Sequence, residues 1–123
     1  MSTLQVTNIK ATGETAIRAV SGVAAAWVNY KGTSTNTIRD SLNISSVTDN
    51  TTGDYTNNFT NSMSSADYIV TCAQGGDGNA NEVRVPKIGG SLASSNYSYN
   101  TLQVTVAIRD VVYIFHTIHG DLA

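Results

Sequence analysis

Charge is the first thing this chain has little of. Only 13% of its 123 residues are Asp, Glu, Lys or Arg, about half the usual share of a globular domain. Helix-favouring charged residues are rarest of all, with Glu at positions 14 and 82 alone and Lys at 10, 31 and 87. With a net charge of −2 and no two basic residues adjacent, the chain lacks the basic patch that nucleic acid requires. It equally lacks the polybasic cluster that an anionic membrane surface attracts. Cys72 is the only cysteine, which excludes an intramolecular disulfide and a zinc site built from cysteines. No apolar run reaches the length of a membrane span, and the opening residues lack the charged and apolar regions of a secretory signal, so none is expected. Pro86 is the single proline.

Ser, Thr and Asn fill the space that charge leaves, at about a third of the chain. Thr suits a half-exposed strand because its β-branch packs on a pleated surface. Asn and Ser suit turns because their side chains bond nearby backbone. Four Asn-x-Ser/Thr sequons, at Asn43, Asn50, Asn58 and Asn96, are what chance supplies in such a composition. Apolar residues reach 41%, enough for one core.

Period-two alternation is the dominant pattern. It predicts a strand over residues 2–11, ended by Gly13, and another from Val23 to Tyr30 that places Trp27 in the core. Residues 37–47 and 55–60, separated by an Asp/Asn/Gly turn, read as a hairpin. Residues 66–73 read as a central strand, with Tyr68, Ile69, Val70 and Cys72 suited to burial. Residues 82–88 contain Pro86, which cannot donate to a ladder, so this strand lies at an edge or ends there. The longest run, Tyr97 to Ile108, shifts phase between Tyr99 and Leu102, which predicts a bulge near Asn100. With a turn at Arg109-Asp110 and an apolar strand from Val111 to Ile118, it forms a C-terminal hairpin. Seven to eight short strands at this spacing predict an all-β fold, an antiparallel β-sandwich or jelly-roll-like domain. Residues 1–123 are expected to form one domain, with 1–13 a candidate attachment strand.

Chemistry is sparsely marked. His116 and His119 are three apart, which on a strand means opposite faces, so they do not chelate one metal. Cys72 lies among apolar neighbours as an inert thiol, and Gly-x-Ser-x-Gly is absent. Asp49, Asn50 and Asp54, and Asp77, Asn79 and Glu82, form oxygen-rich loops that could attract calcium, but both read as turn chemistry. The glycines at 75, 76 and 78 lack the Lys-Ser/Thr of a phosphate loop. No catalytic residue, metal or cofactor is assigned, and the chain is expected not to be an enzyme. Tyr55, Tyr97 and Tyr99 are candidates for stacking on a sugar.

The stretch from Ala26 to Val70 resembles a domain common in proteins of marine and aquatic tailed bacteriophages. The matching positions are Trp27-Val28-Asn29-Tyr30, Gly32-Thr33, Ile38-Arg39-Asp40, Asn43 to Asn50 and Gly53-Asp54-Tyr55-Thr56. The opening STLQVTNIKATG is similar to the start of many phage fibre proteins. The resemblance implies a virion component, a tail-fibre-like or receptor-facing domain assembled as a homotrimer, with other virion proteins and a host surface glycan as partners. The small size and missing fibre shaft suit a capsid decoration protein as the alternative. A carbohydrate-binding module is the second alternative. An all-β domain with low charge and an apolar last strand has edges to hide, and oligomerisation hides them. Val111, Tyr113 and Phe115 on that strand are the candidate interface.

Overall fold

A computed structural model describes residues 2, 5, 8–9, 18–19, 24–76, 84–103 and 108–123. The described residues contain ten strands and no helix: β1 (Asn8–Ile9), β2 (Arg18–Ala19), β3 (Ala24–Lys31), β4 (Thr37–Leu42), β5 (Ile44–Thr51), β6 (Asp54–Phe59), β7 (Ile69–Gly75), β8 (Arg84–Leu92), β9 (Asn96–Gln103) and β10 (Tyr113–His119). The short β1 and β2 pair with each other, and the other eight form two antiparallel sheets ordered β4-β3-β10-β7 and β5-β6-β9-β8. The expected antiparallel β-sandwich is present.

The core lies between the inner pairs of strands. Alternation turns Ala26, Val28 and Tyr30 of β3 and Ile114, His116 and Ile118 of β10 inward from the first sheet. Tyr55, Asn57 and Phe59 of β6 and Tyr97, Tyr99 and Thr101 of β9 turn inward from the second. All twelve are buried. Tyrosine supplies the bulk of this core, with successive rings 5.4 Å apart between Tyr30 and Tyr55 and 5.5 Å between Tyr55 and Tyr99. Such rings bury large apolar areas and prefer tilted or edge-on contacts.

Several boundaries differ from the sequence expectation. The predicted strand over residues 37–47 is two strands in different sheets, because the chain turns at Asn43. That residue has φ 55°, a conformation Asn tolerates better than most residues. Its carboxamide holds the turn: Oδ1 accepts the Asn61 N–H at 2.8 Å and Nδ2 donates to the Asn61 carbonyl at 3.1 Å. The β5–β6 half of the hairpin is present, closed by Thr52-Gly53 with Gly53 at φ 65°. A Cβ on Gly53 would lie 2.7 Å from the Arg109 nitrogen, so the turn also needs glycine for space.

The C-terminal hairpin is absent. β9 lies in the second sheet, while β10 crosses to the first and inserts between β3 and β7. The bulge near Asn100 is also absent. Alternation continues unbroken through Tyr97, Tyr99 and Thr101, and the apparent phase shift arises because Thr101 takes a buried position while Leu102 does not. The strand after residue 66 is an edge strand, not a central one, and Ile69 is largely exposed. Pro86 sits on edge strand β8 as expected. Register shifts in β5 and β8 interrupt both edges of the second sheet, a feature that discourages edge-to-edge pairing. The candidate attachment strand over 1–13 and the acidic loop with Asp77, Asn79 and Glu82 lie outside the described residues, except for residues 2, 5 and 8–9.

Candidate functional site

The three tyrosines expected to meet a sugar do not reach the surface. Tyr55, Tyr97 and Tyr99 are fully buried, because they occupy the inward positions of β6 and β9. Their rings pack on each other and on His116, so no face is free for a pyranose. Each has a structural role instead. Tyr55 Oη donates to Asp110 Oδ1 at 2.7 Å and lies 3.0 Å from the Gly32 carbonyl. Asp110 Oδ1 also accepts the Gly53 N–H at 2.7 Å. One carboxylate thereby ties the β5–β6 turn, the segment after β3 and the segment before β10. Burial, with the Asp110 bond and charge adding to it, raises the Tyr55 phenol far above its usual range.

At the centre of the sandwich Asn57 Nδ2 donates to Tyr97 Oη at 2.6 Å, and Tyr97 Oη lies 2.8 Å from His116 Nδ1. The neighbouring Tyr99 Oη is buried with no hydrogen-bond partner among the described residues. These two hydroxyls therefore respond oppositely to deletion. Tyr97→Phe is expected to cost about 2 kcal/mol, because it removes a bond and weakens the hold on Asn57. Tyr99→Phe is expected to be neutral or to stabilise by about 1 kcal/mol, since it removes an unpaired polar atom. Urea unfolding of the two variants reads the contrast, and equal losses would refute it.

Cys72 is half-buried, and burial pushes its thiol up to about 11. A thiolate is the reactive form, so this cysteine is inert near neutral pH. His116 is buried and His119 half-buried, at positions of opposite inward and outward phase on β10. Around the first acidic loop, Asn50 turns its amide nitrogen to Asp54 Oδ1 at 3.0 Å. Asn36 does the same to Asp49.

The two outward faces of the sandwich differ in chemistry. On the second sheet the outward side chains are amides and hydroxyls that bond one another across strands. Asn58 Nδ2 donates to Ser46 Oγ and Thr48 Oγ1, both at 3.1 Å. Thr56 Oγ1 and Ser98 Oγ are 3.0 Å apart. On the first sheet the outward face mixes aromatic and aliphatic side chains with polar and charged ones. Register aligns Leu42, Trp27, Thr117 and Thr71 in one row across the four strands, and Asp40, Asn29, Phe115 and Ala73 in the next. Trp27 is thus on the outside of the sheet and only partly covered, not in the core, because it alternates with buried Ala26 and Val28.

Tyr113 and Phe115 stand on this face at 44% and 41% exposure, their rings 6.1 Å apart and within 18° of parallel. Arg39 places its guanidinium 4.6 Å from the centre of the Tyr113 ring and donates weakly to Asn29 Oδ1 at 3.4 Å. Gly75 on β7 pairs with Tyr113, and a Cβ there would lie 3.2 Å from the tyrosine. Leu42 at 48% and Ile69 at 67% extend the apolar surface to both edge strands. Two of the three expected interface residues therefore lie on one exposed face. Val111 does not. It precedes β10, is buried, and uses its carbonyl to accept the Gly32 N–H at 2.9 Å. Alternation along residues 24–31 carries the signal for Trp27, since three inward residues of β3 leave it facing out. No protein-family model, curated protein or solved structure matches this chain.

Proposed function

We propose that this protein is a non-enzymatic structural subunit of a tailed-phage virion, a short tail-fibre-like or receptor-facing protein assembled as a homotrimer through the outward face of the β4-β3-β10-β7 sheet. The observation that carries the reading is the contrast between the two outward faces. One carries amides and hydroxyls that bond one another across strands and suits contact with water. On the other, Tyr113 and Phe115 stand exposed side by side on β10, with Leu42 and Ile69 exposed on the two edge strands, and exposed aromatic and aliphatic side chains on one face suit a contact surface. A second copy of the chain is the occupant. Arg39 and Asp40 bring one charge of each sign to the rim of the same face, so neighbouring copies turned about a rotation axis can present opposite charges to one another. The stretch that resembles phage proteins contributes Trp27, Arg39, Asp40 and Leu42 to it.

Mass measurement in solution tests the assembly. The wild-type chain is expected to be a trimer, and Phe115→Asp to shift it to monomer. The Phe115→Asp monomer should keep its fold, since Phe115 points away from the core. Incorporation into particles should fail in parallel. A stable wild-type monomer that does not incorporate into virions would refute the proposal. Labelling that finds the protein only on the capsid shell would replace the fibre with a decoration role.

A further inference from the structure

The interior holds a titratable group that the assembly surface does not use. His116 lies at the centre of the sandwich, on the inner strand β10, and is 2% exposed. Its flanking partners in register are Val28 on β3 and Cys72 on β7. Across the interface it meets Tyr97, 5.7 Å between ring centres, and Tyr99, 4.2 Å and edge-on. Asn57 of β6 approaches Nδ1 at 3.4 Å. The titratable groups facing it are therefore Cys72 from β7 and Tyr97 and Tyr99 from β9. β3 and β6 contribute Val28 and Asn57. The buried polar residues among those described are Asn57, Thr101 and His116, with no carboxylate.

The tautomer follows from the donors. Asn57 Nδ2 carries only hydrogens, so its approach to Nδ1 requires a lone pair there, and Tyr97 Oη–H can donate to the same atom. With the amide in this orientation the ring proton is assigned to Nε2, which, like Asn57 Oδ1, is buried with no partner among the described residues. A second proton has only Nδ1 to occupy. The Tyr97 hydroxyl can rotate to accept it, but the Asn57 N–H is then opposed by another donor. The new charge would sit between the sheets with no counter-ion.

We propose that His116 is an acid-operated latch: as a neutral ring it joins β10 to β6 and β9 of the facing sheet, and its protonation loosens the two sheets from each other. Burial holds the imidazole down at about 3, against 6.5 for the free group. The sign follows from linkage. A group whose pKa is depressed by folding supports the folded state fully above its unfolded pKa. That support is lost as the pH falls through the window from 6.5 towards 3.

Two measurements test the latch. Nitrogen-15 and carbon-13 spectra of the wild-type histidine rings are expected to show His116 neutral, with its proton on Nε2, from pH 7 down to the onset of unfolding. A reversible titration of His116 near pH 6.5 in the folded protein would overturn the proposal. In urea unfolding, the wild-type folding equilibrium is expected to fall about tenfold for each pH unit below 6.5, hence about 100-fold by pH 4.5. His116→Gln, which carries no titrating group, is expected to lose far less over the same range. Equal losses in the two proteins would also overturn the latch, because acid lability would then come from carboxylates common to both. Should His116→Gln fail to fold at pH 7, the wild-type ring spectra decide alone.

Discussion

Replacing Asp110 with Ala is expected to destabilise the protein by about 4 kcal/mol, because hydrogen bonds to a charged acceptor contribute roughly 1.5–3 kcal/mol each and two are lost together. Both the Gly53 N–H and the Tyr55 hydroxyl end on the same oxygen of this side chain. Without it the tyrosine keeps the Gly32 carbonyl, but the Gly53 N–H loses its acceptor in a part-buried site. Asp110→Asn retains a neutral acceptor oxygen and should cost about half as much. Asp121→Ala, on an exposed side chain near the C-terminus, should stay within about 0.5 kcal/mol. Urea midpoints at constant slope report all three. A double-mutant cycle with Tyr55→Phe should return a coupling on the order of 1–2 kcal/mol, since the residues share a bond. If Asp110→Ala proved no worse than Asp121→Ala, the carboxylate would not be tying these three segments.

Tyr99→Ala should cost about 3–5 kcal/mol, the range for deleting a buried aromatic ring. The ring touches Tyr55 at 5.5 Å, Tyr97 at 6.1 Å and His116 at 4.2 Å between centres. Its loss opens a cavity where the two sheets meet. Because the hydroxyl is unpaired, Tyr99→Phe separates the two contributions: the ring accounts for the stability and the oxygen does not. Thermal unfolding of the pair distinguishes them, and a loss below about 1 kcal/mol in Tyr99→Ala would show that neighbouring side chains collapse into the space. The burial that makes this ring costly to delete also lifts its phenol far above the usual value.

Local pattern carried much of the fold. Alternation in residues 24–31, 55–59 and 97–101 identifies strands because a pleated backbone sends successive side chains to opposite faces. Pro86 identified an edge because it lacks the N–H a central strand must supply. What the same pattern could not reveal is which face is covered. Tyr55, Tyr97 and Tyr99 alternate with polar neighbours, as surface tyrosines in a binding site also would. Their burial depends on the opposite sheet, which brings His116 and Tyr30 against them. Val111 and Tyr113 share a strand parity but not an environment, since Val111 precedes β10 and is held under Gly32.

Pairing between distant strands was the other unreadable quantity. An apolar strand following Arg109-Asp110 suggests a hairpin because short connections favour neighbours. The chain instead crosses to the opposite sheet, where β10 buries Ile114, His116 and Ile118 between β3 and β7. The sequence by itself determined an all-β chain, the turn between β5 and β6, its proline edge and the absence of cysteine frameworks, because each follows from bonds and periods within a few residues. Only the tertiary structure decided that one sheet faces outward with aromatic rings, the other with bonded amides, and that a histidine sits between them. Those outcomes depend on which sheet each strand joins, and that choice is made by long-range packing rather than by local preference.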